Sequence, residues 1–126
     1  MQFQMQIYNL KRDKFAHISE YNFSELLTLY NINWIYEPSS FPLKWGSSGN
    51  VTMMFKPDFY LPDYSLYIEI TTMEQKHVTK KNKKYKLASK LYPDIKFKII
   101  YDIQYQELLN NYKGSDTLSF QKAIAS

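Results

Sequence analysis

The order of elements along this chain predicts an α/β domain, with helices flanking a mixed central sheet. The clearest strand is residues 64–71, where alternate positions are apolar. A helix and a run of short strands precede it, and a helix, an apolar strand and another helix follow. Hydrophobic residues make up 44% of the 126 positions, which suffices for one core, so we expect a single domain over residues 1–126.

The first half of the chain predicts one helix followed by short strands. Ser19 can cap a helix that runs to about Tyr30. The segment Gly46-Ser47-Ser48-Gly49-Asn50 has the composition of a hairpin turn. Weak alternation within residues 1–10 also predicts a short edge strand. The other predicted strands of this half are residues 34–37, 41–45, 51–55 and 59–61.

The second half predicts a long helix, a strand and a shorter helix. The long helix covers residues 75–92 and is closed by Pro93-Asp94. Residues 95–101 form a short apolar strand, and Asp102 caps a helix to about Asn110. Residues 113–126 are expected to be a tail or a short helix.

Several classes of site and location are disfavoured by composition. The chain has no cysteine, which excludes disulfides, thiolate zinc sites and cysteine nucleophiles, and fits a cytoplasmic protein. Two histidines are too few for a structural zinc site. No apolar run approaches the roughly 20 residues of a membrane span.

Residues 76–90 contain seven lysines and no acidic residue, which predicts a basic helix face. A stripe of that density attracts phosphate backbones, although a solvated lysine-rich face has the same pattern. The candidate nucleic-acid-binding residues are Lys76, Lys80, Lys83, Lys84, Lys86 and Lys90.

Two carboxylates lie in apolar surroundings, Asp58 in FKPDFYLP and Glu69 in LYIEI. Strands disfavour glutamate, and a central strand would desolvate it, so Glu69 is a candidate ligand for a hard cation such as Mg²⁺. By strand alternation, Thr71 lies on the same face as Glu69. The alternative is an outward-facing Glu69 on a half-exposed strand.

The first helix carries two acids on different faces. Helical periodicity places Glu25 opposite the apolar stripe and Glu20 beside Leu27 on the inner face. Glu20 is therefore either an acid that helps to hold a metal or position water, or a first-turn acid that stabilises the helix N-terminus. Asp63 beside Pro62 is typical of a plain turn residue.

Pro57-Asp58 followed by Glu69-x-Thr71 resembles the PD-(D/E)xK nuclease superfamily, with threonine in place of the final lysine. The wider match covers about residues 17–112 and resembles a family of small bacterial nuclease-like domains. It rests on the segments HISE, NWIYEPSSFPL, FKPDFYLPDYSLYIEITTM and VTKKNKKYKLASKLYPDIKFKIIY. This resemblance implies an αβββαβ restriction-endonuclease-like core, with the site at one end of the sheet.

Carried across residue by residue, the resemblance makes Asp58 and Glu69 the metal-binding pair. Glu20 becomes the first-helix acid, and the backbone carbonyl of Ile70 completes the metal site. Glu37 matches the glutamate of a Tyr-Glu-Pro motif, with either a structural or a site role. Gln75, at the start of the next helix, is a further candidate.

The threonine at position 71 lacks the charge with which the usual lysine stabilises the transition state. Either Thr71 only positions water and metal supplies the electrostatics, or a lysine arrives from the next helix. Helical periodicity places Lys81 within the apolar arc of that helix and Lys84 at its edge. We therefore predict Lys81 as the charge donor and Lys84 as second choice. The alternative is that Lys81 extends past a tyrosine to solvent.

The function expected from these residues is hydrolysis of phosphodiester bonds in DNA by an endonuclease that uses Mg²⁺ or Mn²⁺. The alternative is a catalytically inactive nuclease-fold domain that binds DNA or another protein. RNA is a third, weaker substrate option. By analogy with small nucleases we also expect a homodimer, or a protein partner that supplies specificity.

Overall fold

A mixed four-stranded sheet with helices on both faces forms the centre of this protein. The computed structural model describes residues 14–72, 75–111 and 117–126, so the edge strand expected within residues 1–10 lies outside the described residues. The elements are α1 (Ile18–Leu29), β1 (Ile35–Tyr36), β2 (Phe41–Trp45), β3 (Val51–Phe55), β4 (Phe59–Leu61), a 3-10 turn (Pro62–Tyr64), β5 (Leu66–Thr71), α2 (Gln75–Leu91), β6 (Lys96–Tyr101), α3 (Asp102–Asn111) and α4 (Thr117–Ala125).

The strand order in the central sheet is β1-β4-β5-β6. Antiparallel pairing joins β1 to β4 and β4 to β5, whereas β5 and β6 are parallel. Parallel neighbours need a long crossover connection, and α2 supplies it. The α/β class and the mixed sheet expected from the sequence are therefore confirmed.

The hairpin β2–β3 forms a separate two-stranded sheet. The predicted turn is present, because the Gly46 N–H donates to the Asn50 carbonyl oxygen at 2.8 Å. Phe41, Leu43 and Phe55 of this hairpin pack with Ala88 of α2. The hairpin thereby covers α2 on the side of the sheet remote from α1.

The two faces of β5 contact different cores, as its alternation predicted. Leu66, Ile68 and Ile70 belong to the larger core, which includes Phe23 of α1. Tyr67 packs instead with the hairpin and α2. Glu69 and Thr71 alternate with the isoleucines, so their side chains lie on the α2 side of the sheet.

Some element boundaries differ from the sequence prediction because of a capping hydrogen bond and two residues with positive φ. His17, not Ser19, caps α1: its Nδ1 accepts the Ser19 N–H at 3.1 Å, and Ser19 lies within the first turn. Ser65 has a φ of 49°, so Tyr64 belongs to the 3-10 turn and the strand starts at Leu66. The strand predicted over residues 34–37 ends at Tyr36, because Glu37 has a φ of 45°.

The C-terminal helix α4 is part of the main core rather than a loose tail. Phe120 and Ile124 are fully buried, and the Phe120 ring stacks on Tyr30 with 4.2 Å between ring centroids. The Lys98 ammonium donates to the carbonyl oxygens of Ile124 at 3.0 Å and Ser126 at 3.1 Å. A cation at the carbonyl end of a helix is stabilising. None of the helices among the described residues is long and apolar enough to cross a membrane.

Phe120→Ala is expected to lower the free energy of unfolding by about 3–5 kcal/mol, the usual range for removing a buried phenylalanine. Urea unfolding followed by circular dichroism measures the change. Leu118→Ala is the matched control in the same helix, because Leu118 is 60% exposed. Equal, small losses in both variants would show that α4 contributes little to the core.

Candidate active site

Asp58 forms hydrogen bonds with Glu69 and with the backbone of Ile70 at the point where β4 begins. The register that pairs Phe59 with Ile68 places Asp58 opposite Glu69. The Asp58 N–H donates to Glu69 Oε1 at 3.1 Å, and the Ile70 N–H donates to Asp58 Oδ2 at 2.8 Å. Both residues are buried, Asp58 with 4% and Glu69 with 5% of its surface exposed. The backbone thus holds two desolvated carboxylates in fixed orientations.

Two further acids reach Asp58 from other elements. Glu20, in the first turn of α1, is buried, and Glu37 is partly buried just after β1. One carboxylate oxygen from each of Glu20, Glu37 and Asp58 lies within 4.8 Å of the other two. We call these three residues the acidic triad. Its members come from a helix, a turn and the segment before β4, so only the tertiary fold brings them together.

The backbone of Glu37 is left-handed, with a φ of 45°. A non-glycine residue in this conformation costs roughly 1–2 kcal/mol. Pro38 follows directly, and residues before proline favour extended backbone, so the conformation is disfavoured twice. The Glu37 N–H donates to the Asp58 carbonyl oxygen at 2.9 Å, which holds the turn in place. Strained residues of this kind cluster at functional sites.

Tyr36 positions the first acid of the triad. Its hydroxyl donates to Glu20 Oε1 at 2.6 Å and accepts the Ala16 N–H at 3.1 Å. Burial and the hydrogen bond to Glu20 raise the pKa of Tyr36, so the phenol keeps its proton as a donor. Sequence analysis did not select Tyr36, although it directly precedes Glu37 in the Tyr-Glu-Pro segment.

Lys81 is the cation that faces these carboxylates, at the position on α2 that helical periodicity predicted. Its Nζ lies 3.1 Å from Glu69 Oε2 and donates to the Ile70 carbonyl oxygen at 2.9 Å. Burial alone would lower the pKa of Lys81, but the charges of Glu69 and Asp58 raise it above the ordinary value. Lys81 therefore stays charged, and it does not extend away to solvent.

One ammonium does not balance the carboxylates around it. Burial first, and then the charges of Glu69 and Glu20, raise the pKa of Asp58 well above its usual value, against the opposing effect of Lys81. Burial also raises the pKa of Glu69, although Lys81 again acts in the opposite direction. Among the described residues, this region holds four carboxylates and one close ammonium, so it has a deficit of positive charge.

Thr71 is almost completely buried, and within the described part of the chain its Oγ1 has no hydrogen-bond partner. It shares the α2 side of β5 with Glu69, as predicted. Thr72 takes part in a different contact, donating from Oγ1 to Ser19 Oγ at 3.2 Å. That contact ties the end of β5 to the first turn of α1, where Glu20 lies.

A cavity of about 280 Å³ opens beside Glu69 and Lys81, between α2 and the end of β3. Lys80 and Lys84, both selected from the sequence, line it. Lys56 and His77 line it as well, and sequence analysis missed both. Lys56 is separated from Asp58 only by Pro57, and this proximity was an available signal. Lys84 approaches the site as expected, but the ion pair with Glu69 is made by Lys81.

The remaining lysines of α2 form a second basic surface. Lys83, Lys86 and Lys90 are exposed and line a cavity of about 560 Å³ together with Lys44 of the hairpin. Lys44 was not foreseen, because only the tertiary fold brings the hairpin to α2. Gln75 and Lys76 belong to the α2 backbone, and their side chains lie outside the described residues.

Two other acids stay apart from the site, as the sequence predicted. Glu25 is exposed on the outer side of α1. Asp63 is exposed in the 3-10 turn and accepts a hydrogen bond from Asn33 Nδ2 at 3.0 Å.

No family model, curated protein or solved structure gives a match to this chain. The assignment of function therefore rests on its own geometry.

The donor atoms of the acidic triad fit a hard divalent cation. Carboxylate oxygens are the ligands that Mg²⁺ and Mn²⁺ prefer, and a cation there would offset the excess negative charge. The family resemblance grouped Asp58 with Glu69, Glu20 and the Ile70 carbonyl. The structure brings Asp58 together with Glu20 and Glu37, and it places Glu69 and the Ile70 carbonyl against Lys81.

Asp58→Asn is expected to raise the melting temperature at neutral pH in buffer with a chelator. The pKa of Asp58 is higher in the folded protein than in the unfolded chain, so ionisation of this group costs stability. That cost is absent below the unfolded pKa of about 4 and grows as the pH rises towards the folded value. An uncharged asparagine removes the cost and can still accept the Ile70 N–H.

Thermal melts at acidic and neutral pH measure the effect, which should shrink towards acidic pH. Glu25→Gln is the control, because Glu25 is exposed and should change the melting temperature little at either pH. A lower melting temperature for Asp58→Asn at neutral pH would contradict the inferred charge deficit.

Proposed function

We propose that this chain is a metal-dependent endonuclease that hydrolyses phosphodiester bonds in DNA. The observation that carries the proposal is the convergence of the acidic triad, beside Glu69 paired with Lys81. Burial of several carboxylates in one place opposes folding, which disfavours a purely structural role. A cluster of this kind instead suits a metal-assisted reaction on a phosphate.

The architecture supports a restriction-endonuclease-like arrangement of the PD-(D/E)xK type. In this proposal the αβββαβ core consists of α1, the sheet strands β1, β4 and β5, then α2 and β6. The hairpin β2–β3 is an addition between the first two of those strands. The acidic triad lies where α1 begins, β1 ends and β4 begins.

The contacts of each site residue suggest its role in the proposed reaction. Glu20, Glu37 and Asp58 would hold Mg²⁺ or Mn²⁺, and Tyr36 orients Glu20. A divalent ion bound there supplies Lewis-acid activation of water and of the scissile phosphate. Glu69 orients Lys81 through the 3.1 Å ion pair.

In this proposal, Lys81 stabilises charge in the transition state and Thr71 positions water, two roles that the usual lysine of the motif would have. The Lys81 ammonium, 3.1 Å from Glu69 Oε2, would stabilise negative charge on a phosphate brought to the metal. The buried Thr71 hydroxyl has no partner among the described residues and is available to hold a water molecule.

The lysines of α2 provide the proposed contact with the DNA backbone. Lys80 and Lys84, with Lys56, line the cavity beside Glu69 and would bind a backbone phosphate that enters it. Lysines bind phosphates as point charges and read no sequence, so a protein partner is proposed to supply specificity, and a second copy of the chain to cut the second strand. The exposed lysines proposed to bind flanking phosphates are Lys83, Lys86 and Lys90, with Lys76 as a further candidate.

A second candidate function is a catalytically inactive domain that binds DNA. The observation that favours it is the state of Glu69, whose Oε1 accepts the Asp58 N–H and whose Oε2 is paired with Lys81. Together with threonine at position 71, this arrangement leaves the usual motif incomplete. The basic surface of α2 would then serve binding alone.

Purified protein is expected to nick supercoiled plasmid in Mg²⁺ or Mn²⁺ and to be inactive with chelator. Asp58→Ala should lower the rate by at least about 100-fold, a typical effect of losing one catalytic group. Glu25→Ala is the matched control, an exposed acid of α1 that should leave the rate unchanged. Salt-sensitive DNA binding without cleavage in several divalent metals would favour the inactive domain instead.

Lys81→Ala is expected to lower the cleavage rate by roughly 100- to 1,000-fold at a metal concentration that saturates the unaltered protein, because one transition-state donor is lost. Lys122→Ala serves as control, since Lys122 is an exposed lysine of α4 to which no contact with DNA is assigned. Metal-dependent cleavage that is unchanged in Lys81→Ala would remove Lys81 from the mechanism.

A further inference from the structure

The Lys81 ammonium occupies a place lined by oxygen atoms that suit a metal ion. It donates to the Ile70 carbonyl oxygen at 2.9 Å and lies 3.1 Å from Glu69 Oε2. These are the two groups that, with Asp58, the PD-(D/E)xK resemblance assigns to the metal. A lysine ammonium is a compact point charge with three donors, so it can take the same oxygens.

Both carboxylate oxygens of Glu69, beside Lys81, already have partners, whereas each carboxylate of the acidic triad keeps one oxygen without a donor among the described residues. Glu69 Oε1 accepts the Asp58 N–H, and its Oε2 is paired with Lys81. In the acidic triad, Glu20 and Asp58 each have one oxygen engaged, by Tyr36 and by the Ile70 N–H respectively. Within the described residues, each triad carboxylate therefore keeps at least one oxygen free of a hydrogen-bond donor.

We infer that the site binds one divalent ion, at Glu20, Glu37 and Asp58, and that the Lys81 ammonium fills a second cation position lined by Glu69 and the Ile70 carbonyl. This inference rests on the proposed metal-dependent function. Asp58 lies between the two positions, because its carboxylate belongs to the triad while its N–H donates to Glu69.

Charge and burial both favour the Lys81 ammonium over a second divalent ion at the position lined by Glu69 and the Ile70 carbonyl. One divalent ion and Lys81 together nearly balance four carboxylates. A second divalent ion at Glu69 would have to expel a mostly buried ammonium, 21% exposed, from the partner that compensates its charge. Lys81 is also attached to α2, so it loses no translational freedom when it occupies the position.

Counting bound Mn²⁺ by equilibrium dialysis with electron paramagnetic resonance tests the inference without any activity measurement. The unaltered protein should bind one Mn²⁺. Lys81→Ala should bind two, because Glu69 Oε2 and the Ile70 carbonyl become available. Lys83→Ala, the matched lysine control, should bind one. Two ions in the unaltered protein, or one in a folded Lys81→Ala protein, would overturn the inference.

If Lys81→Ala does not fold, Glu69→Gln and Asp58→Asn test the position of the metal instead. Glu69→Gln should still bind one Mn²⁺, with affinity lowered by no more than roughly 10- to 100-fold, because Glu69 contacts Lys81 and the Asp58 N–H rather than the metal. Asp58→Asn should lose tight binding, because a triad ligand has lost its charge. Loss of the ion in Glu69→Gln to the same extent would place the metal at Glu69 and overturn the inference. Far-UV circular dichroism shows which variants are folded.

Failure of the inference and failure of the proposed function give different results. Absence of Mn²⁺ binding in the unaltered protein and in Lys81→Ala would defeat both. Binding of one ion by the unaltered protein and two by Lys81→Ala, without plasmid cleavage, would support the inference and defeat the nuclease proposal. Plasmid cleavage by an unaltered protein that binds two ions would support the nuclease proposal and defeat the inference.

Discussion

Where the ladder between β4 and β5 ends, carboxylate side chains take over as acceptors of backbone N–H groups. Asp58 accepts from Ile70, and Glu69 accepts from Asp58, so each strand donates to an acid on the other. A buried backbone donor needs a partner, and here that need also fixes the orientation of two carboxylates. Other contacts of the site follow from this arrangement: Lys81 compensates Glu69, while the Glu37 N–H binds the Asp58 carbonyl and brings a further acid to the triad.

The parts of the site that sequence periodicity could predict are those set by a single regular element. Alternation in one strand placed Glu69 and Thr71 on a common face, and helical spacing placed Lys81 on the inner side of α2. Both positions follow from repeat geometry that tertiary packing leaves unchanged. The α/β class followed in the same way from the order of helix and strand patterns.

The sequence was less informative for residues whose positions depend on unusual backbone torsion angles or on contacts between segments that are distant in the chain. Glu37 enters the triad through a left-handed backbone that its neighbour Pro38 disfavours, so local propensity predicted a longer strand instead. The N-cap of α1 is His17 rather than Ser19, because a ring nitrogen of His17 accepts the backbone hydrogen bond that was expected to go to the Ser19 hydroxyl. The hairpin lysine Lys44 joined the basic surface only because β2 packs on α2, a contact with no signature in either segment.

At Glu37, the residue that would best stabilise the left-handed turn differs from the residue that the proposed metal site needs. Glycine would adopt the same left-handed φ at lower energy and would remove one charge from an acidic cluster, so it should make the metal-free protein more stable. It would also delete a member of the triad. Laboratory selection for heat resistance alone would therefore favour loss of Glu37, whereas selection that also requires activity would retain the glutamate.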